Sequence, residues 1–350
     1  MNRYIRRAAC LITVAAAGLA PVVPVAASAR GIARGANGCL TVTATIRLGS
    51  QKSPTGVAVD PKTNTIYAAG LISEGGISVS GRVSVINGQT NTVTATIGLP
   101  AHAIPAIAVD PNTDTIYVAN FNGDSVLVIN GQTNAVTATV PIGQFKGSSA
   151  VAVDPKTDTI YVVNFYGDSV SVINGRTNTV TATVFVGGSP RGLAVDPRTD
   201  TIDVLNTDHG TVSVIDGHTN TITATIPLSQ GEQEPTAAAV DPRTNTVYVA
   251  NGPGPGIVSV IGGHTGTVTT TIPVGEGPSA VAVGPRSRDI YVANVASNTI
   301  SVIRGRTKTV TATIPAGSGP QGLAVDPNTN TLYVADNSSH AVSVIPVCPR

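Results

Sequence analysis

The chain has 350 residues, 12% of them charged and 3% aromatic, and a formal net charge of +1. A charge so close to balance excludes the strong field that draws in nucleic acid or an anionic membrane surface. The 37 Gly and 24 Pro, with abundant Thr and Val, describe short strands joined by turns, in one large all-β domain or two ordinary ones.

Residues 1–29 read as an export signal. Arg3, Arg6 and Arg7 form a basic start, an apolar stretch runs from Ala8 to about Ala26, and Ala27-Ser28-Ala29 supplies the small-residue cleavage pattern near Ala29. Pro21 and Pro24 argue against a stable membrane span, and Arg7 stands where a lipoprotein signal at Cys10 needs an apolar residue. Arg6-Arg7 leaves the choice between general and twin-arginine export open. Residues 30–38 read as a flexible linker, and 39–350 as one folded domain with no second apolar span.

From there the chain repeats itself. The phrase Val-Asp-Pro places its proline at Pro61, Pro111, Pro155, Pro197, Pro242, Pro285 and Pro327, with Gly284 replacing the Asp once. Each copy carries four strand-like words, exemplified by GVAVDP (56–61), TIYVAN (115–120), SVSVIN (169–174) and TVTATI (92–97). Alternation and β-branching favour strands in all four. Asp-Pro opens the turn after the first strand, and Asn-Gly marks a hairpin between the third and fourth. Seven such units arranged radially predict a seven-bladed β-propeller with four antiparallel strands per blade. An Ala holds the middle of every innermost strand (Ala58, Ala108, Ala152, Ala194, Ala239, Ala282, Ala324), where blades are expected to crowd the axis.

The seventh copy, 321–346, stops after three strands, and a spare fourth-strand word, TVTATI, stands at 41–46. The N-terminal strand is therefore expected to complete the last blade and close the ring, removing two sheet edges. Aligned on the first blade, Cys348 falls at Gln89 and Cys39 at Thr90, adjacent positions of one turn. A Cys39–Cys348 disulfide is expected at the seam, in a compartment where disulfides persist.

The words TIYVAN, TIYVVN and TVYVAN, followed by SVSVIN and NGRTNTVTATI, resemble the YVTN family of β-propeller repeats over about residues 40–346. The resemblance implies a seven-bladed propeller, often exported and often at a bacterial or archaeal cell surface, and implies no reaction. Its second-strand Tyr is present at Tyr67, Tyr117, Tyr161, Tyr248, Tyr291 and Tyr333; the fourth blade has Asp203 instead, expected to face solvent rather than to form part of a local polar site, the alternative for a carboxylate in a ring of Tyr.

The connections from second to third strand, and from fourth strand to the next blade, share one face of a propeller, here the upper face. Its loops vary (FNGDS, FYGDS, TDHGT, GPGPG, VASNT), whereas the lower turns read as monotonous. Variation on a rigid scaffold points to binding. All four Phe lie in or beside blades two and three, so Phe121, Phe145, Phe165 and Tyr166, with Asp124 and Asp168, form the candidate ligand-binding set. No catalytic residue, metal site or cofactor is expected: there is no G-x-S-x-G, phosphate loop, dinucleotide fingerprint or haem motif.

The sequence is thus read as a secreted, non-catalytic binding or interaction scaffold of the cell envelope. Its expected partner is a cell-envelope glycan, peptide or protein; nucleic acid is not expected, and the state is a monomer. The alternatives are a lyase or hydrolase at the channel mouth, using upper-loop His102, His209 and His340 with carboxylates, and a structural surface-layer component.

Overall fold

In the computed structural model the described residues are 39–49, 52–74, 77–101, 105–144, 146–228, 234–252 and 254–347. Among them the strands form seven four-stranded sheets. The blades occupy 52–101, 105–141, 148–185, 190–227, 234–273, 278–315, and 320–346 joined by 44–47. Each is a meander. In blade three Ser148–Asp154, Thr159–Asn164, Ser169–Asn174 and Thr179–Phe185 pair antiparallel in sequence order. Innermost strands contact those of the neighbouring blades all round the ring, including blade seven against blade one.

The burial pattern follows from this stacking. Second and third strands have a blade on each side, so 160–164 and 169–173 are buried without alternation. The outer strand is mostly exposed, with Val184 turned inward near its end. Each core cluster straddles two blades: Tyr117, Ala119 and Val128 of blade two pack with Val151, Ile160 and Val162 of blade three.

The repeated turn words have distinct physical tasks. Asp154 is buried, and its Oδ1 accepts the Lys156 N–H at 2.8 Å; Asp60, Asp110, Asp196, Asp241 and Asp326 do the same in their blades. In the hairpin turn Asn174 Oδ1 accepts the N–H groups of Arg176 and Thr177. The Asn-Gly pair is therefore not itself a two-residue turn with both residues left-handed. The left-handed residue is Asn178 (φ 54°), four places on. Gly175 is required for space, because a Cβ there would meet Asp158 Oδ1 at 1.9 Å.

The outer-strand word also has a reason. Every third-to-fourth strand pair within blades one to six carries a register shift that leaves one Thr unpaired, as between Val172 and Ile173. That Thr closes the bulge itself: Thr181 Oγ1 donates to Val172 O at 3.2 Å, and Thr94, Thr137, Thr223, Thr269 and Thr311 do likewise.

The ring closes as its sequence requires. Ala44–Arg47 pairs antiparallel with Ala341–Pro346. The strand starts later than the 41–46 word because Thr43 occupies the bulge, with its N–H and Oγ1 both donating to Val344 O. Leu40 N–H donates to Pro346 O at 2.8 Å. Cys348 lies outside the described residues, as do residues 1–38.

The small inner-strand residue also has a large partner within its own sheet. Ala152 is the register partner of Tyr161, and each of the other five tyrosines likewise faces an Ala. The tyrosines are essentially fully buried. Burial pushes the Tyr161 phenol up, and Asp200 of the next blade and Asp154 of its own push it further.

Blade four corrects the reading of Asp203. It stands opposite Ala194 in the tyrosine's place and is buried, 4% exposed, not solvent-facing. Neighbouring blades cover both faces of its strand, so a shorter side chain there is not thereby carried to solvent. Burial, aided by Asp196, pushes its carboxyl up to about 7.

Candidate functional site

The upper loops are tied down before they can offer anything to a ligand. In blade three the buried Asn164 donates through Nδ2 to Ser169 Oγ (3.1 Å) and Ser171 Oγ (2.9 Å). Asp168 follows in left-handed conformation (φ 47°). Its carbonyl accepts the Val186 N–H, and its Oδ1 accepts the Ser189 N–H at 2.9 Å. Asp124 (φ 44°) repeats the arrangement in blade two: its carbonyl accepts from Ile142, and its Oδ1 from the N–H groups of Lys146 (2.7 Å) and Gly147 (2.9 Å). Asn298 does the same without charge in blade six, through Gly319 N–H at 2.7 Å. The two carboxylates singled out in the sequence therefore clasp each loop to the connection into the next blade.

These clasps bring the rings together. Phe121 and Phe165 centroids lie 6.5 Å apart, Phe121 and Tyr166 5.5 Å, and Phe165 and Tyr166 5.1 Å, the last two edge-on. Such edge-to-face contacts each add about 1 kcal/mol beyond area burial. Gly147 makes the approach feasible: at φ +60° a Cβ would meet Tyr166 Cδ2 at 2.7 Å and Phe121 Cε2 at 3.3 Å. Phe121 and Phe165 are half-buried, whereas Tyr166 is 52% exposed. The guanidinium of Arg191, from blade four, lies 5.7 Å from the Phe165 centroid. Arg191 was not part of the sequence-derived set; nothing local marks it, because it meets the ring only through the packing of adjacent blades. Phe185 ends the outer strand of blade three, 70% exposed, and Phe145 lies outside the described residues.

The histidines have separate local partners. His340 sits at the left-handed clasp position of blade seven, its ring Nδ1 3.2 Å from Ser53 Oγ. His209 lies against Gly188 in blade four's loop, and His102 is outside the described residues. Among the described residues no three His, Cys, Asp or Glu side chains gather as metal ligands, and no helix is long and apolar enough to cross a membrane.

Comparison with known proteins agrees with the fold. Residues 318–345 match the NHL repeat model. That segment is most of blade seven's contribution from the C-terminal side, with all three of its strands. A solved chain of hydrazine synthase from Kuenenia stuttgartiensis superposes with a TM-score of 0.73 at 17% identity, covering 91% of this chain and 100% of that one. At that identity the likeness is one of fold, and propellers host many unrelated functions. No curated protein matches the chain by sequence.

Proposed function

We propose that this protein is an exported, non-catalytic binding propeller of the YVTN repeat type, which holds its partner on the upper face across blades two to four. The observation that carries this reading is the ring triad of Phe121, Phe165 and Tyr166. Two half-buried rings fix a third that stands half in solvent, with the Arg191 guanidinium beside Phe165. A pre-positioned tyrosine offers contact area at little entropic cost, and the guanidinium adds a fork of donors. This suits a cell-envelope glycan or peptide that stacks on the ring and hydrogen-bonds at its edge. The repeated words of the sequence support the YVTN assignment, and the NHL match is to a related propeller repeat.

Thermal unfolding of the purified protein with cell-wall oligosaccharides and peptides tests the site, since a ligand of the native state raises its apparent stability. One ligand should raise the midpoint of the wild type, and Tyr166→Ala should abolish that rise while unfolding normally by itself. An undiminished rise in both Tyr166→Ala and Phe165→Ala would move the site elsewhere.

Export and the seam disulfide belong to the same proposal. Their support is the basic, apolar and A-x-A order of residues 1–29, the disulfide-bonded state of Cys39, and the Leu40 bond to Pro346, two residues before Cys348. The intact mass of the exported chain should begin after Ala29 and fall short of the reduced mass by two hydrogens. A non-reducing digest should then join Cys39 to Cys348; free thiols at both in material from its native compartment would refute the pairing.

A further inference from the structure

The lower turns are not uniform: blade six departs from blades one to four at four positions, each time exchanging an Asn or Asp for a residue without a side-chain oxygen. Gly284 replaces the buried Asp that caps the first turn elsewhere. Arg288 takes a left-handed position (φ 59°) that Asn or Asp holds in the other six blades. Arg304 replaces the Asn or Asp whose carbonyl or carboxylate oxygen caps the hairpin turn in blades one to four. Lys308 takes the second left-handed position (φ 57°), occupied by Asn in those same blades. A long cation gains nothing locally from a left-handed backbone, which a side chain with a Cβ adopts at a cost. Three cations and the loss of one carboxylate therefore run against local turn preference, as expected where a site overrides the fold.

These side chains gather. Arg286, Arg288, Arg304, Arg306 and Lys308, with Ser287, line a cavity of about 830 Å³ at the lower ends of blades five and six. Arg288 Nε is paired with Asp241 Oδ2 at 3.3 Å. Lys308 Nζ donates to the Tyr248 hydroxyl and stands 4.5 Å over its ring, which anchors one wall on blade five. Arg286, Arg304 and Arg306 are exposed. Besides Asp241, the nearby acid is the buried Asp289, so the cavity holds an excess of positive charge. A concave wall of like charge focuses the field on an incoming ion. Guanidinium forks match phosphate oxygens two at a time. The volume of this open cleft lies within the range of small-molecule sites.

We propose that this lower-face cavity binds a small multivalent oxyanion, a ligand carrying two or more phosphate groups. It is independent of the upper-face aromatic site, and the chain would hold both at once.

Calorimetric titration at low ionic strength, about 50 mM salt, tests it with tripolyphosphate, orthophosphate and a short DNA duplex. Tripolyphosphate should bind at one site per chain and orthophosphate more weakly. The double variant Arg304→Glu/Arg306→Glu should weaken tripolyphosphate at least about tenfold, because both lost charges are replaced by repelling ones. Tyr166→Ala should bind it like the wild type, so failure of the upper-face reading leaves this one standing. The charge-neutral pair Arg304→Gln/Arg306→Gln, expected to lose affinity to a lesser degree, guards against a folding defect in the reversed variant. Absence of tripolyphosphate binding, or unchanged affinity in a normally unfolding reversed variant, would overturn the proposal. So would a duplex that binds as tightly and competes for the same residues, since that is a surface for polymer phosphate.

Discussion

Removal of residues 39–48 is expected to abolish cooperative folding of the ring. The closing strand gives blade seven its fourth strand, and it buries Ile46 (4% exposed) and Leu48 (6%) against Val57, Ile66, Val342 and Val344. Without it, the backbone bonds to Pro346, Val344 and His340 are lost and the edge of 341–346 is laid open. An open hydrophobic edge of this kind pairs with other chains, so the truncated protein should also aggregate. Ile46→Ala isolates the packing contribution. Large-to-small changes at such a site cost about 2–5 kcal/mol, and urea unfolding of the intact chain should lose an amount in that range. A loss below about 0.5 kcal/mol, the level of an ordinary surface substitution, would mean that the seam contributes little to holding the ring.

The second large effect is a dependence on pH that runs opposite to ordinary acid unfolding. Asp203 is buried in blade four, and its carboxyl rises from the usual 3.8 to about 7. The folded protein thus binds this proton more tightly than the unfolded chain does. Above pH 7 the full cost of burying this carboxylate is felt; as pH falls from about 7 towards 4 the native state keeps the proton that the unfolded chain gives up, and the cost fades steadily over that interval. For this residue stability should rise as pH falls from about 7 towards 4, by a linkage on the order of 4 kcal/mol in all, of which only about 1.4 kcal/mol appears by pH 6. Asp336 acts in the same direction, since burial pushes its carboxyl up to about 6 despite the Ser343 hydroxyl it accepts from. Asn stands at the position of Asp336 in blades two to six. Urea unfolding at about pH 5 and about pH 8.5 should show Asp203→Asn more stable than wild type, by the larger margin at the higher pH, with much of the slope between the two removed. Equal pH slopes in wild type and variant would place the titration elsewhere.

Most of the architecture was legible because it is periodic. The Val-Asp-Pro spacing, the Tyr words and the orphan TVTATI each report a contact repeated in at least six blades or made once at the seam, and repetition separates such a signal from chance. The long first interval, 50 residues from Pro61 to Pro111, appears as a longer hairpin in blade one, Thr65–Glu74 with Ile77–Asn87. The aromatic sector was legible too, since Phe121 and Phe165 occupy corresponding positions of adjacent repeats and come within contact of Tyr166. Two readings failed for one reason, that the partner is on another blade. Asp203 looked exposed because charge usually means solvent, yet its strand is packed between neighbours on both faces. The lower turns read as monotonous along the chain, yet Arg288 and Lys308 of blade six meet Asp241 and Tyr248 of blade five; Gly284, Arg288, Arg304 and Lys308 were nonetheless each visible as a broken turn residue.

The number of blades, the order of strands within each and the closure of the ring are all written in the chain's own pattern. Those follow from periods of hydrophobicity and from turn chemistry that act within some forty residues. Which side chains meet is set by the packing of the blades: Arg191 with Phe165, Lys308 with Tyr248, Asp203 with its buried surroundings. Such contacts cross from one blade to the next. They depend on how two twisted sheets pack face to face, a relation that no local pattern along the chain encodes.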